Sequence, residues 1–150
     1  MHTGGQRGSV LIIALFMLML FTIMGVIATR MSITELKASS NEKAHRLAFY
    51  LAEAARAYVA QSPELWGPNN LSSSSPKNFS SHAAGVVLGE TQSFDGEVRF
   101  LEKSVPPRGS GFETSTFKAY KYKMTCNGYY GHDSNKAKAS IEAGFYRVGY

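Results

Sequence analysis

The sequence is short of the residues from which small stapled folds and active sites are usually built. It has one cysteine, Cys126, in 150 residues, so no internal disulfide can brace a loop and the last loops must be held by packing alone. Its four histidines (His2, His45, His82 and His132) are scattered, and with a single thiol they give no ligand spacing that suits a metal. There is no Gly-x-Ser-x-Gly, no phosphate-cradling Walker loop and no nucleophile beside a base in a supporting context. The chain therefore reads as a non-enzyme with no cofactor and no metal. Proline is absent before Pro63, no acidic residue occurs before Glu35, and from Ser9 to Thr29 there is no charge at all.

That charge-free stretch holds 21 residues dominated by Leu, Ile, Met, Phe and Val. As a helix it would be about 31 Å long, close to the hydrocarbon thickness of a bilayer. Apolar side chains fall on every face, so no polar stripe remains to lie in an interface. The segment is expected to enter a membrane. Three readings compete for it. A secretory signal peptide has an apolar core of roughly 7–15 residues, shorter than this run, although Val26-Ile27-Ala28 could serve as its cleavage site. A plain signal anchor fits the length but leaves the abrupt Arg7-Gly8 entry unexplained. The third is a class III, prepilin-type leader: a short basic head ending in Gly, cut on the cytoplasmic side, with the apolar helix retained.

Particular residues favour the third reading. The run Gly8-Ser9-Val10-Leu11-Ile12-Ile13-Ala14-Leu15, the Thr22-x-x-Gly25 step and the later Asn41…Ala48-Phe49-x-x-Ala52-Glu53-Ala54-Ala55 resemble the amino-terminal region of the PilX minor pilins of type IV pili. The resemblance covers residues 4 to about 60. It implies a leader at residues 1–8, cleavage between Gly8 and Ser9 by a prepilin peptidase, and N-methylation of Ser9. It also implies a cytoplasmic leader, which charge bias alone does not decide, because Arg7 is answered by Arg30, Lys37 and Lys43 on the other side. Major pilins carry Glu at the fifth mature position, where it pairs with a neighbour's amino terminus. Counted from Ser9, that position is Ile13, which points away from a major subunit and toward a low-copy or initiating one.

Beyond the membrane segment (residues 9–29) the helix is expected to continue through residues 30–61 with one apolar stripe. Ile33, Leu36, Ser40, Ala44, Leu47, Leu51, Ala54 and Tyr58 are three or four apart, while Lys37, Asn41, Glu42, Lys43, Arg46, Glu53 and Arg56 take the other faces. Glu42 and Arg46 form an i,i+4 pair. Pro63 is the expected terminator. Leu47, Leu51, Ala54 and Tyr58 are expected to cover a sheet, whereas Ile33 to Ala44 lies beyond its reach and would meet a neighbouring subunit.

Residues 62–150 read as a small globular domain. Leu71 to Asn78, with four consecutive serines, reads as a polar loop. Val86-Val87-Leu88 is a short apolar run. Glu97 to Glu102 alternates in part, with Val98 and Phe100 inward; Phe117 to Cys126 places Tyr120, Tyr122 and Met124 on one face; Ala137 to Tyr146 sets Ala139, Ile141, Ala143 and Phe145 against Lys138, Ser140, Glu142 and Tyr146. Cys126, on an inward face, reads as a small core residue. Pro106 to Gly111 and Asn127 to Asn135 read as loops. The expected architecture is α+β and type IV pilin-like: a long helix laid on an antiparallel sheet of three or four strands.

From Thr114 onward six Lys or Arg oppose Asp133 and Glu142. Tyrosines interleaved with lysines can track a nucleic-acid strand, which makes Lys121, Lys123, Lys136 and Lys138, with Tyr129 and Tyr130 on an exposed loop, a candidate binding face. The competing reading is a solvated outer sheet face guarded by lysines. The functional expectation is a minor pilin that assists type IV pilus assembly or initiation through helix packing with other major and minor pilins, low in copy and near the tip. The alternatives are a tip adhesin or DNA receptor, or a type II secretion pseudopilin. The implied partners are pilins, the prepilin peptidase and inner-membrane lipid before assembly. The implied location is the inner membrane, single-pass with a periplasmic carboxy-terminal domain, and extracellular once in a pilus.

Overall fold

The computed structural model describes residues 6–67, 71, 75–86, 88–132 and 136–149. Residues 1–5 of the expected leader, Ser72 to Ser74 of the serine run, and Val87 lie outside the described residues. One helix, α1, runs from Gln6 to Gln61. It starts three residues ahead of the expected Ser9, since adding a residue to a formed helix costs far less than nucleating one. It ends where expected: Ser62 is followed by Pro63, which opens a single 3-10 turn, Pro63–Leu65. The chain divides into two compact units, residues 1–41 and 42–150, so the last 20 residues of α1, 42–61, fold with the carboxy-terminal domain.

In the first unit, every described side chain from Gly8 to Asn41 is exposed. Its threonine hydroxyls are satisfied within the helix: Thr22 donates to the Met19 carbonyl at 2.7 Å, Thr29 to Gly25 at 2.9 Å and Thr34 to Arg30 at 2.9 Å. A hydroxyl so bonded can sit in hydrocarbon without stranding a donor. This is the one described helix long and apolar enough to cross a membrane.

In the second unit four strands form an antiparallel meander in the order β1-β2-β3-β4: β1 (Lys77–Ser80), β2 (Gln92–Ser104), β3 (Lys118–Tyr130) and β4 (Ala137–Gly149). Phe79, Phe94, Val98, Tyr122, Met124, Cys126 and Ala139 point inward and are buried. The part-way alternation of β2 has a local cause. Its register against β3 slips between Phe100 and Glu102, a bulge that leaves Leu101 outside the ladder and turns Glu102 outward. Two stretches differ from expectation. β1 occupies the end of the supposed polar loop, because Phe79 reaches the aromatic cluster, 6.0 Å from Tyr58 and 6.5 Å from Phe94. Val86 and Leu88 are in no strand; they follow the turn through Gly85, whose φ of 64° suits a residue without a side chain.

The helix meets the sheet through its smallest residues. Ala48, Leu51, Ala52, Ala55 and Val59 are buried, while Leu47 and Tyr58 are half-buried and Ala54 is exposed. The contact stripe is thus turned from the one that Leu47, Leu51, Ala54 and Tyr58 would define. The reason is Gly128 on β3. A Cβ there would lie 2.1 Å from the Ala48 carbonyl oxygen and 2.4 Å from the Ala52 nitrogen, so the helix backbone rests directly on the strand. The small Ala48 and Ala52 suit such an approach, and the larger Leu47 and Tyr58 are displaced to its flanks.

Candidate functional site

Two surfaces carry the sequence-predicted residues. The first is the exposed apolar helix of unit one. Ser9 and Ile13 lie on it, Ile13 at 55% exposure. An added Cβ at Gly8 or Gly25 would meet nothing within 4 Å, so no packing within this chain requires either glycine. Gly8 is helical and exposed, with open space around its backbone.

The second surface is the outer face of the sheet, where the lysine and tyrosine candidates divide. Lys121 pairs with Glu102 at 2.6 Å and Lys123 with Glu142 at 2.9 Å. These cross-strand pairs are half-exposed and add little to stability, but each must open before its ammonium can meet a phosphate. Lys138 lies 5.5 Å from the Tyr129 ring centroid, and Lys136 is exposed. Tyr129 and Tyr130, expected on a loop, instead end β3, paired with Lys138 and Ala137. The Asn127-Gly128 pair looks like a turn signal, yet it lies within the strand: Gly128 serves the helix approach, and the two tyrosines have strong strand preference. The Tyr129 hydroxyl donates to Asp95 at 3.3 Å, and the Asn127 amide donates to the same carboxylate at 2.9 Å. The face is thus knitted across strands, with two of its four candidate lysines held in ion pairs.

Elsewhere the unit shows little reactive chemistry. Cys126 is fully buried, and burial pushes its thiol up to about 11, with Arg56 opposing the shift and Glu53 reinforcing it. A thiol held protonated is a poor nucleophile. Burial also raises the Tyr122 phenol, which Arg147 partly offsets. Among the described residues, no group of three His, Cys, Asp or Glu converges to hold a metal ion.

The family model described as PilX N-terminal matches residues 7–56. This N-terminal third of the chain is similar to the PilX N-terminal family. The PilX match starts at the basic head, runs the length of the exposed apolar segment and ends inside the stripe that packs on the sheet, between Ala55 and Val59. The four strands lie outside it. No match was found among curated proteins or solved structures. The long apolar helix fits a single-pass membrane anchor of the kind typical of pilins. The residue that sequence pattern missed is Gly128. Its only sequence signal was a glycine amid strand-forming aromatics, which marks a close backbone approach as readily as a turn.

Proposed function

We propose that this chain is a minor pilin that contributes to type IV pilus assembly or initiation by packing its amino-terminal helix against other pilins. The observation that carries the reading is the run of exposed apolar side chains from Val10 to Leu36, in a segment with a PilX N-terminal match. Part of that surface is long enough to reside in lipid before assembly. The remainder, with Ile33 and Leu36, has no lipid-like length of its own and suits a protein neighbour. At Ile13 an apolar side chain needs no partner in hydrocarbon, whereas a carboxylate would demand one. This supports a subunit of low copy rather than the repeating one. In this reading a prepilin peptidase cuts after Gly8 and Ser9 becomes the methylated amino terminus. The carboxy-terminal unit then lies in the periplasm, and outside the cell once the pilus extends.

The test is intact-mass measurement and amino-terminal sequencing of the chain extracted from membranes of cells with and without a prepilin peptidase. The expected product begins at Ser9 and carries one methyl group, only when the peptidase is present. A product beginning at Thr29, from signal-peptidase cleavage after Ala28, would refute the pilin reading.

A further inference from the structure

The sheet ends in an edge unlike its other one. β1 is a four-residue strand, whereas β4 is a 13-residue strand paired on one side only. Its pairing with β3 runs without a slip from Ala137 to Gly149, and it holds no proline. Proteins usually blunt such an edge by shortening, bulging or covering it, or with charged side chains; among the described residues β4 is long and unbulged, no strand pairs with its outer edge, and its charges are Lys138, Glu142 and Arg147.

Along the inner side of this edge lies a groove of about 430 Å³ between the end of α1 and β4. Val59, Ala143 and Phe145 form part of its apolar lining, with the small Ala143 and Gly144 leaving room at mid-strand. The side chain of Trp66 is fixed beside it: its indole N–H donates to the Val59 carbonyl at 2.7 Å, and its ring meets Phe145 edge-on at 6.3 Å. The charged residues lining the groove are Arg56 and Arg147. Arg56 is paired with Glu53 at 2.7 Å. The Arg147 guanidinium lies 5.5 Å from the centroid of the Trp66 ring, and among the described residues no carboxylate pairs with it. The only acid on β4, Glu142, faces the opposite side and is paired with Lys123.

We propose that β4 is a docking edge for an extended acidic peptide segment of a partner protein, which adds as a fifth strand. The unpaired main chain of β4 supplies sequence-independent hydrogen bonds, and the groove supplies selectivity for alternate side chains. Ala143, Phe145 and Arg147 are two residues apart and share one face. An added strand therefore presents an apolar residue opposite Ala143 and a carboxylate opposite Arg147, four residues and about 13 Å away. The carboxylate takes the guanidinium by a paired hydrogen bond. A second copy is a poorer occupant: the chain carries a net charge of +5, and a second β4 offers Arg147 only Glu142, which lies on the opposite face and is paired with Lys123. The inference does not depend on the pilus reading.

The test uses the full chain reconstituted in neutral phosphatidylcholine vesicles and reads the emission of Trp66, the single tryptophan. The probe is a synthetic nine-residue peptide, Thr-Glu-Thr-Leu-Thr-Leu-Thr-Glu-Thr. A second peptide has Lys in place of each Glu, and a third has Pro in place of the central Thr. The acidic peptide should shift the emission saturably and bind at least tenfold more tightly than the other two. Arg147→Glu should reverse the preference between the acidic and basic peptides. Ala143→Leu, which fills the groove and leaves every charge in place, should abolish the shift. No saturable change up to millimolar acidic peptide would overturn the proposal. So would equal binding of the proline peptide, or an unaltered preference in Arg147→Glu. A concentration-dependent shift with no peptide present would assign the edge to a second copy and overturn the acidic-partner assignment.

Discussion

Replacing Gly128 by alanine tests whether the helix rests on the strand backbone. In the native packing the new methyl would stand 2.1 Å from the Ala48 oxygen, 2.4 Å from the Ala52 nitrogen and 2.9 Å from the Leu51 carbonyl carbon. Ordinary carbon–oxygen contact is about 3.3–3.6 Å, so helix and strand must part by about 1 Å. The obstructing atoms are all backbone, and no side-chain rotation relieves them. A gap of that size forfeits a quarter to a half of the dispersion energy across each contact of the seam, and overpacking of this kind typically costs about 1–3 kcal/mol. Reduced freedom of the unfolded chain returns about 0.4–1 kcal/mol. A net loss of about 1–2 kcal/mol is expected, a large share of the stability of a small domain.

The assay is built into the same strand. Cys126 lies two residues before Gly128, on the same face and fully buried, so a maleimide reaches it only when the seam opens. A loss of about 1–2 kcal/mol raises the open population, and with it the labelling rate, about 5- to 30-fold. The control is Gly144→Ala on β4. There the new methyl finds its nearest neighbour, the Tyr122 oxygen, at 3.8 Å, an ordinary contact. That variant should label at the wild-type rate or more slowly. If Gly128→Ala labels and melts like the wild type, or both variants label equally fast, the close approach is not what holds the helix.

The remaining predictions concern the same unit. Leu51→Asp should lower stability by several kcal/mol, because it buries a carboxylate in the seam, whereas Ala54→Asp on the exposed side should cost under about 1 kcal/mol; equal urea midpoints would place the seam elsewhere. With the Cys126 thiol raised by burial to about 11, the folded state keeps a proton that the unfolded chain gives up. Its contribution to stability is therefore full below the ordinary thiol value and lost as pH rises toward 11. Urea midpoints at pH 8 and pH 10.5 should fall further apart for the wild type than for Cys126→Ala. DNA binding should stay at the weak non-specific level, unchanged when Lys121, Lys123, Lys136 and Lys138 are all replaced by Ala; a salt series showing micromolar affinity lost in the mutant would instead establish a phosphate-binding face.

The fold was legible where a period could be read against a single environment. From Ser9 to Thr29 nothing but lipid or another apolar surface suits the side chains. In β4 the strict alternation of Ala139, Ile141, Ala143 and Phe145 against charged or polar partners marked the inner face. Reading failed where two requirements overlapped in one stretch. In β2 the bulge at Leu101 shifts the phase mid-strand, so a count of alternation sees only half a pattern. In α1 the eye follows bulk, and Leu47 and Tyr58 outweigh Ala48 and Ala52, yet the sheet takes up the alanines. The position of that stripe was decided 76 residues after its last alanine-rich turn began, at Gly128, and helix periodicity holds no information about a partner's missing side chain.

The same limit explains the site. Lysine spacing identified Lys121 and Lys123 as a basic row, and they do share the outer face. What it could not supply is the cross-strand register that places Glu102 and Glu142 against them and removes most of their call on a phosphate. Register is a property of two strands together. It turns a run of like charges in sequence into a set of pairs in space, and among the described residues it leaves without a carboxylate a cation that sequence pattern did not single out, Arg147, set over Trp66 from the far side of the domain sequence. Charge that survives folding without a partner, beside an edge that also lacks one, is therefore a better guide to what this unit binds than charge counted along the chain.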